Sequence, residues 1–177
     1  MKKNKIYRIL CGISAIIIIW ICSLSTCQAQ PWPFPTFVDT TQQNKNIILE
    51  EFTGIHCVYC PAGHLIGQNL HNSHPARVFL INIHTGSYAS PGAGEPDFRT
   101  SFGSSIAGQS NLGGYPAGTV NRHQFSMSQN GGTAMSRSDW SSASTQLLNQ
   151  PSPVNVGIQA SVDMATNVLT VDVEVYY

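Results

Sequence analysis

The feature that most constrains the fold is a helical pattern enclosed by two short apolar runs. Residues 46–52 (NIILEEF) and 77–84 (RVFLINIH) are rich in Ile, Leu and Val, the profile of buried strands. Between them, AGHLIGQNLHN places Leu65, Ile66 and Leu70 at helical spacing. Because parallel strands need a long crossover, this order predicts a parallel strand–helix–strand unit and an α/β fold.

A loop and a second helical pattern follow. Residues 85–96 (TGSYASPGAGEP) form either the rim of a substrate site near His84 or a solvated insertion, and their composition favours the insertion. The next stretch, DFRTSFGSSIAGQS, has Phe98, Phe102 and Ile106 at i, i+4 and i+8. This spacing predicts an amphipathic helix that buries the three side chains.

The remaining elements of this domain are a strand, a bend and a helix. Tyr115-Pro116 opens a predicted strand that runs to about Phe125, and the Asn-Gly pair in SMSQNGGTAM predicts the bend of a hairpin. Ser138 is placed to cap a helix that ends at about Asn149, before Pro151. The apolar face of that helix comprises Trp140, Leu147 and Leu148.

The C-terminal stretch changes character. VNVGIQASV and VLTVDVEVYY alternate apolar and polar residues around DMATN, which predicts a β-hairpin. Because an isolated hairpin is marginally stable, we interpret residues 151–177 as the start of a β-sandwich domain that is incomplete here, or as strands that pair elsewhere. Residues 46–150 then form the α/β domain.

The N-terminus has the layout of an export signal. Four basic residues precede an uncharged block from Ile9 to Leu24, so residues 1–29 are predicted to be a signal peptide, with a retained membrane anchor as the alternative. LSTC resembles a lipoprotein box, in which Cys27 would be lipidated; simple cleavage before Gln30 fits the flanking residues equally well. The Pro-rich residues 30–45 are predicted to be an extended tether.

Removing the signal changes both the charge and the cysteine content. Five basic and nine acidic residues remain, a net charge of −4, so nucleic-acid binding is not expected. The exported chain keeps Cys57 and Cys60 in a compartment where disulfides persist. Two cysteines three positions apart do not staple a fold, so a chemically used dithiol is the better explanation.

The predicted elements place this dithiol at the start of a helix. Unpaired N–H groups and the positive end of the helix dipole would favour the Cys57 thiolate, provided that its sulfur is partly exposed. The thiolate could attack a disulfide, and Cys60 could then resolve the mixed disulfide.

EEFTGIHCVYC resembles the strand, turn and dithiol helix of the thioredoxin superfamily, and GGYPAGTV resembles its cis-proline loop. The resemblance implies a cis Tyr115-Pro116 bond facing the dithiol, with the backbone of Tyr115 able to pair with a substrate strand. It also makes Glu51, six residues before Cys57, the candidate proton relay for the second cysteine. The alternative is that Glu51 points outward and Glu50 or neither is buried.

EEFTGIHCVYCPAG, INIHTGSYA, DFRTSFGSSIAG, GYPAGTVNR and VDVEVYY together resemble the twenty-eight-kilodalton outer-membrane-protein family of Bacteroidetes-type bacteria. The resemblance implies a thioredoxin-like domain, with a central mixed sheet flanked by helices, followed here by the first hairpin of a truncated β-sandwich. It also implies export to the cell envelope, in the outer membrane or periplasm, with redox or adhesin-like roles.

His56 departs from the thioredoxin pattern, which usually has Trp before the first cysteine. We expect His56 to border the substrate site and, if charged, to stabilise the Cys57 thiolate; the alternative is that it fills an exposed turn. Pro61 lacks the N–H of a helix interior and predicts a late or irregular helix start.

Other site chemistries fit the sequence less well. A zinc site would need two of His56, His64, His71 and His74, but its ligand spacing is atypical. Covalent haem needs His at position 61, which is Pro, and neither a flavin nor a nicotinamide fingerprint is present, so no cofactor or metal is expected. The expected partner is an exported protein substrate or redox partner. The rival class is a non-catalytic surface-binding or adhesin-like module with a structural disulfide.

Overall fold

The computed structural model describes residues 37–177. The predicted signal peptide, Cys27 and residues 30–36 of the predicted tether lie outside this range. Among the helices it describes, none is both long and apolar enough to span a bilayer.

The centre of the α/β part is the predicted parallel unit. Strand β1 (Ile47–Thr53) pairs in parallel with β2 (Val78–His84), and helix α1 (Cys60–Ser73) makes the crossover. Their side chains explain this arrangement, because Ile47, Leu49, Leu70 and Val78 are all buried and meet between sheet and helix. The predicted strand–helix–strand unit is therefore confirmed.

The elements that follow β2 in the chain complete a four-stranded sheet. After helix α2 (Ser101–Ser110) come β3 (Ala117–Val120), β4 (Met135–Ser136) and helix α3 (Trp140–Leu148). The order is β2-β1-β3-β4, with β3 antiparallel to β1 and β4 antiparallel to β3. This is a mixed α/β sheet, as expected.

The sheet separates two apolar clusters. Residues of β1 alternate between its faces. On one face, Leu49 packs with side chains from α1 and α3, including Trp140 and Leu147. On the other face, Phe52 packs with Ala107 of α2. The face that carries Leu49 also carries Glu51, so α1 and α3 enclose the carboxylate.

Helix α2 buries only part of the face predicted from its apolar spacing, because Ile106 is half-buried against the Phe52 cluster while Phe98 and Phe102 are exposed. It begins at Ser101, capped by Thr100, so Phe98 precedes it, and Phe102 is 81% exposed. The buried residues are small ones: Gly103, Ala107 and Ser110. A Cβ on Gly103 would lie 2.9 Å from Ile83 Cγ2, so the helix approaches the sheet too closely for large side chains.

Strand β3 is shorter than predicted and does not reach Phe125. Asn121 and Arg122 have φ values of 50° and 48°, which take the chain out of the extended region after Val120. The Asn-Gly bend is confirmed, because Asn130 and Gly131 both have positive φ before β4.

Pro61 predicts a late start of α1, and the helix does begin late, at Cys60, three residues after Cys57. Pro61 lies in its first turn, where the missing N–H leaves no internal hydrogen bond unmade. The buried face of α3 is as predicted. Ser138, however, lies in a short 3₁₀ turn, and Asp139 precedes α3 without a capping bond from its side chain.

The C-terminal stretch forms the predicted hairpin. Strands β5 (Asn155–Asp163) and β6 (Val168–Tyr176) pair only with each other among the described residues. One hairpin face is wholly apolar and largely solvent-exposed: Val156, Ile158, Ala160 and Val162 lie opposite Val175, Val173, Val171 and Leu169. The backbone N–H groups of Phe37 and Val38 donate to Glu174 Oε2 over 2.9 and 3.0 Å.

Candidate functional site

The candidate site is the turn between β1 and α1, where Cys57 and Cys60 form a disulfide. The Cys57 N–H donates to the Gly54 carbonyl over 3.0 Å, and the Cys60 N–H donates to the Cys57 carbonyl over 3.2 Å. These bonds hold a tight loop that brings the two side chains together. The dithiol therefore lies where the sequence predicts, between strand and helix.

Cys57 is not itself at the start of the helix and is less exposed than expected. Helix α1 begins at Cys60, so Cys57 precedes it by three residues, and only 7% of Cys57 is exposed, against 1% of Cys60. Its sulfur is bonded to the first helical residue and so stays beside the N-terminal turn. Both cysteines are therefore buried, and Cys57 is the more exposed of the two.

Glu51 is buried on the α1 side of the sheet, with 4% of its side chain exposed. Its Oε2 lies 3.0 Å from His64 Nδ1, and Oε1 has no hydrogen bond from any residue described. Glu50 is also buried, but on the opposite face, where Arg122 holds it in a bidentate ion pair with N–O distances of 2.5 and 2.7 Å. The two adjacent carboxylates thus have different surroundings.

Burial raises the pKa of Glu51, because a charged carboxylate loses hydration in the interior. The attraction of His64 and its hydrogen bond act in the opposite direction and are weaker than this desolvation. His64 is 41% exposed in its side chain, so it links the buried carboxyl group to solvent. From the sequence, His64 is one of four possible zinc ligands at a site that fits poorly, and it has no predicted role beside the dithiol.

Gly63 is the point where the site residues converge. A Cβ placed on Gly63 would lie 2.6 Å from Glu51 Oε1 and 3.2 Å from both Pro116 Cγ and Trp140 Cη2. Glu51 and Pro116 thus both reach the first turn of α1, at Gly63, three residues after Cys60. Sequence reasoning missed Gly63, whose only signal was a glycine in the dithiol helix.

Pro116 and Tyr115 lie in the loop before β3. The Tyr115–Pro116 peptide bond is cis, in agreement with the resemblance. The Tyr115 ring packs edge-on against Tyr88 with centroids 5.7 Å apart, and its hydroxyl fills the space beside Gly86, where a Cβ would be 2.3 Å away. Burial raises the pKa of Tyr115, and its hydrogen bond with Thr85 partly offsets that rise.

The interpretation of residues 85–96 as a solvated insertion was wrong in part, because this loop touches the dithiol turn. The His56 N–H donates to the Tyr88 carbonyl over 3.0 Å, and His56 Nε2 lies 2.8 Å from Glu95 Oε2. The Gly92 N–H, and after it His56, lower the pKa of Glu95. His56 is half-exposed beside Cys57, and its ring is held by this loop.

The histidines weighed as metal ligands have other partners. His64 contacts Glu51, and His71 Nδ1 lies 2.7 Å from the Val78 carbonyl oxygen. Across residues 37–177, no three His, Cys, Asp or Glu side chains are grouped closely enough to hold a metal ion.

Comparisons with known proteins add little. No protein-family model matches the chain, and no curated protein matches it. Among solved structures, HBP35 of Porphyromonas gingivalis is similar at 16% sequence identity with a TM-score of 0.46. The match covers 67% of this chain and 38% of that chain, so this chain spans well under half of that protein. At this similarity the match carries no conclusion about function.

Proposed function

We propose that this chain carries out dithiol–disulfide exchange on exported proteins through Cys57 and Cys60. In this proposal Cys57 is the attacking thiol, Cys60 is the resolving thiol and Glu51 is the proton relay. The substrate groove is bordered by Pro116, Tyr115 and His56. A thioredoxin-like domain of the outer-membrane-protein family is the setting that we infer for this chemistry.

The observation that carries the proposal is that the Cys57–Cys60 disulfide and a buried carboxyl group both lie at the first turn of α1. Cys60 is buried, and Glu51 Oε1 reaches Gly63 in the same first turn of α1. A disulfide that served only as a staple would not need a desolvated carboxyl group beside it, and desolvation of such a group is costly. A proton acceptor for the resolving thiol explains why this cost is tolerated.

The architecture supports the same assignment. The parallel unit β1-α1-β2 is followed by the antiparallel β3 and β4 and by α3, an order typical of thioredoxin-like domains. Pro116 directly precedes β3, so the cis-proline loop and the dithiol helix lie at the same end of β1. An extended substrate chain could pair with the backbone of Tyr115 in this loop through hydrogen bonds.

We further propose that the protein acts in the bacterial cell envelope, in the outer membrane or periplasm. The basic and apolar N-terminus supports export, and lipidation of Cys27 would attach the protein to a membrane. The exchange cycle then needs an exported protein as substrate and a second exported protein as redox partner.

One observation favours a second candidate function, a surface-binding or adhesin-like module. With only 7% of Cys57 exposed, the disulfide is well protected, as structural disulfides are. In that case the loops around it would serve recognition, and the disulfide would persist throughout.

A turnover assay separates the two functions. The mature chain is mixed with glutathione and a self-quenched fluorescent peptide that contains a disulfide, and the release of fluorescence is followed. We expect Cys57→Ser to abolish catalysis and Cys60→Ser to accumulate a mixed disulfide between the peptide and Cys57, because the resolving thiol is missing.

His56→Ala is the matched control, since it changes the neighbour of Cys57 without removing a thiol. It should retain catalysis at a reduced rate. Full activity in Cys57→Ser, or no activity above the glutathione background in the unaltered protein, would contradict the proposed function.

A further inference from the structure

The contact between Glu51 and His64 has no place in the exchange chemistry described so far. Glu51 is carried by β1 and His64 by α1, and the Oε2–Nδ1 distance is 3.0 Å. Buried carboxyl groups usually have all their oxygens hydrogen-bonded. Here, among the residues described, Oε1 has no partner while Oε2 contacts a histidine that reaches solvent.

The helix places His64 where it can serve the dithiol. His64 follows Cys60 by four residues, so the two side chains share one face of α1. Helical side chains also lean towards the N-terminus, which brings the imidazole towards the dithiol turn. On its other side, His64 Nε2 lies 3.5 Å from Thr53 Oγ1. The ring is thereby held between two residues of β1.

Few other titratable groups face this side of the sheet. From β2, His84 is in register with Thr53 and stacks against Phe98 with ring centroids 5.2 Å apart. From α1, the groups are Cys60, His64 and, seven residues further along the helix, His71, whose Nδ1 lies 2.7 Å from the Val78 carbonyl oxygen. Pro116, in the loop before β3, and Trp140, in α3, carry no titratable group.

We propose that His64 is a positioning and proton-transfer residue, which acts through Glu51 and carries the proton of Cys60 between that carboxyl group and solvent. This inference rests on the proposed exchange function and adds a route for the proton. A half-exposed imidazole next to a carboxyl group with 4% exposure gives the proton a path that avoids the closed interior.

The exchange begins when the reduced protein meets a substrate disulfide. The Cys57 thiolate attacks one substrate sulfur, which forms a mixed disulfide and releases the first substrate thiolate. Glu51 accepts the proton of the Cys60 thiol, and the new thiolate attacks the Cys57 sulfur and releases the second substrate thiolate. Two electrons pass to the substrate. Glu51 then gives the proton to neutral His64 at Nδ1, and the imidazolium so formed loses a proton to water.

The experiment follows the two chemical steps separately. The reduced full chain is mixed in a stopped-flow instrument with the aromatic disulfide dithiobis(nitrobenzoate), which releases one coloured thiolate when Cys57 attacks and a second when Cys60 resolves the adduct. We compare the unaltered protein with His64→Asn, whose amide can keep a bond to Glu51 but cannot exchange a proton in this pH range.

We expect His64→Asn to slow the second phase by about 10-fold or more near neutral pH, in the lower range for lost acid–base catalysis, and to leave the first phase within about twofold. The pH dependence of the second phase should flatten, and added imidazole should restore its rate. His71→Asn is the matched control, because His71 is a structural histidine on the same helix, and it should leave both phases unchanged.

A second phase that is equally fast in His64→Asn, or one that is slowed with no response to imidazole, would overturn this inference. The first phase reports on the proposed function independently, because its absence in the unaltered protein would show that Cys57 does not react. If His64→Asn fails to fold, as judged by circular dichroism, His64→Gln replaces it with the same expected outcomes.

Discussion

At the scale of single residues, the site depends on how closely α1 approaches Glu51 and Pro116. Only a glycine at position 63 allows this approach, since any side chain there would displace the carboxyl group or the proline ring. The carboxyl group is thus fixed by backbone packing as well as by His64. Two predictions concern these residues.

Gly63→Ala should lower the free energy of unfolding of the oxidised protein by about 1–3 kcal/mol, because its Cβ would lie 2.6 Å from Glu51 Oε1. Gly67→Ala in the same helix is the matched control. Its Cβ would meet Leu49 and Leu80 at 3.6 Å, an ordinary contact, so the helix propensity of Ala should stabilise the protein by about 0.5–1 kcal/mol. Urea unfolding of both variants measures the two changes in unfolding free energy. Equal changes in the two variants would contradict the close approach at Gly63.

Glu51→Gln should become increasingly stabilising, relative to the unaltered protein, as pH rises. The pKa of Glu51 is raised above its ordinary value of 4.5, so its contribution to stability is full below that pH and is lost as pH rises through the folded-state pKa. Gln does not titrate and avoids this loss. Urea unfolding at a series of pH values between about 4 and 8 measures the difference, and a difference independent of pH would contradict the burial of a titrating carboxyl group.

Local spacing in the sequence was enough to select the two cysteines as candidates, and the resemblance added Glu51 and Pro116 as candidates. It did not find the roles of Gly63 or Glu95. Those depend on an approach between elements that are distant in the chain, as in the contact of His56 with Glu95. Spacing alone cannot reveal such contacts.

At the scale of elements, helix α2 shows how packing distance overrides apolar periodicity. Phe98, Phe102 and Ile106 have the correct spacing, but Gly103 and Ala107 are the residues that let the helix lie close to Ile83 and Phe52. A close contact between a helix and a sheet requires small side chains at the contact. The periodicity of large apolar residues does not predict where such a contact will be.

Phe102→Ser should therefore change the free energy of unfolding by less than about 0.5 kcal/mol, since the Phe102 side chain is 81% exposed. Ala107→Asn, five positions along the same helix, should cost about 2 kcal/mol, because it buries an amide against Phe52. Thermal or urea unfolding distinguishes the two faces. A large loss of unfolding free energy in Phe102→Ser would contradict this account, because it would mean that the face predicted from periodicity is buried.

At the scale of the whole molecule, the four-stranded sheet and the hairpin differ in how well they are covered. Strand β1 lies between two neighbours and is buried on the face beneath α1, whereas β5 and β6 pair only with each other within the described part of the chain and expose an apolar face. The alternating pattern of the hairpin was readable from the sequence. The surface that would cover its apolar face could not be predicted, because alternation shows that one face is apolar but does not show what packs against it.

Hydrogen–deuterium exchange should accordingly show two levels of protection. Amides of β5 and β6 should exchange through local opening well before those of β1 and β3, because a two-stranded hairpin is marginally stable by itself. Peptide-level mass spectrometry of the full chain measures this. Equal protection of the hairpin and the central sheet would mean that the apolar face is covered in solution.

The central claim is that Cys57 and Cys60 exchange electrons with other proteins, and the equilibrium reduction potential of this pair tests it most directly. The mature domain would be equilibrated with glutathione redox buffers, alkylated, and read by mass spectrometry. We predict a potential between about −270 and −120 mV, the range of catalytic dithiols. A potential below about −300 mV would identify a structural disulfide and contradict the exchange function.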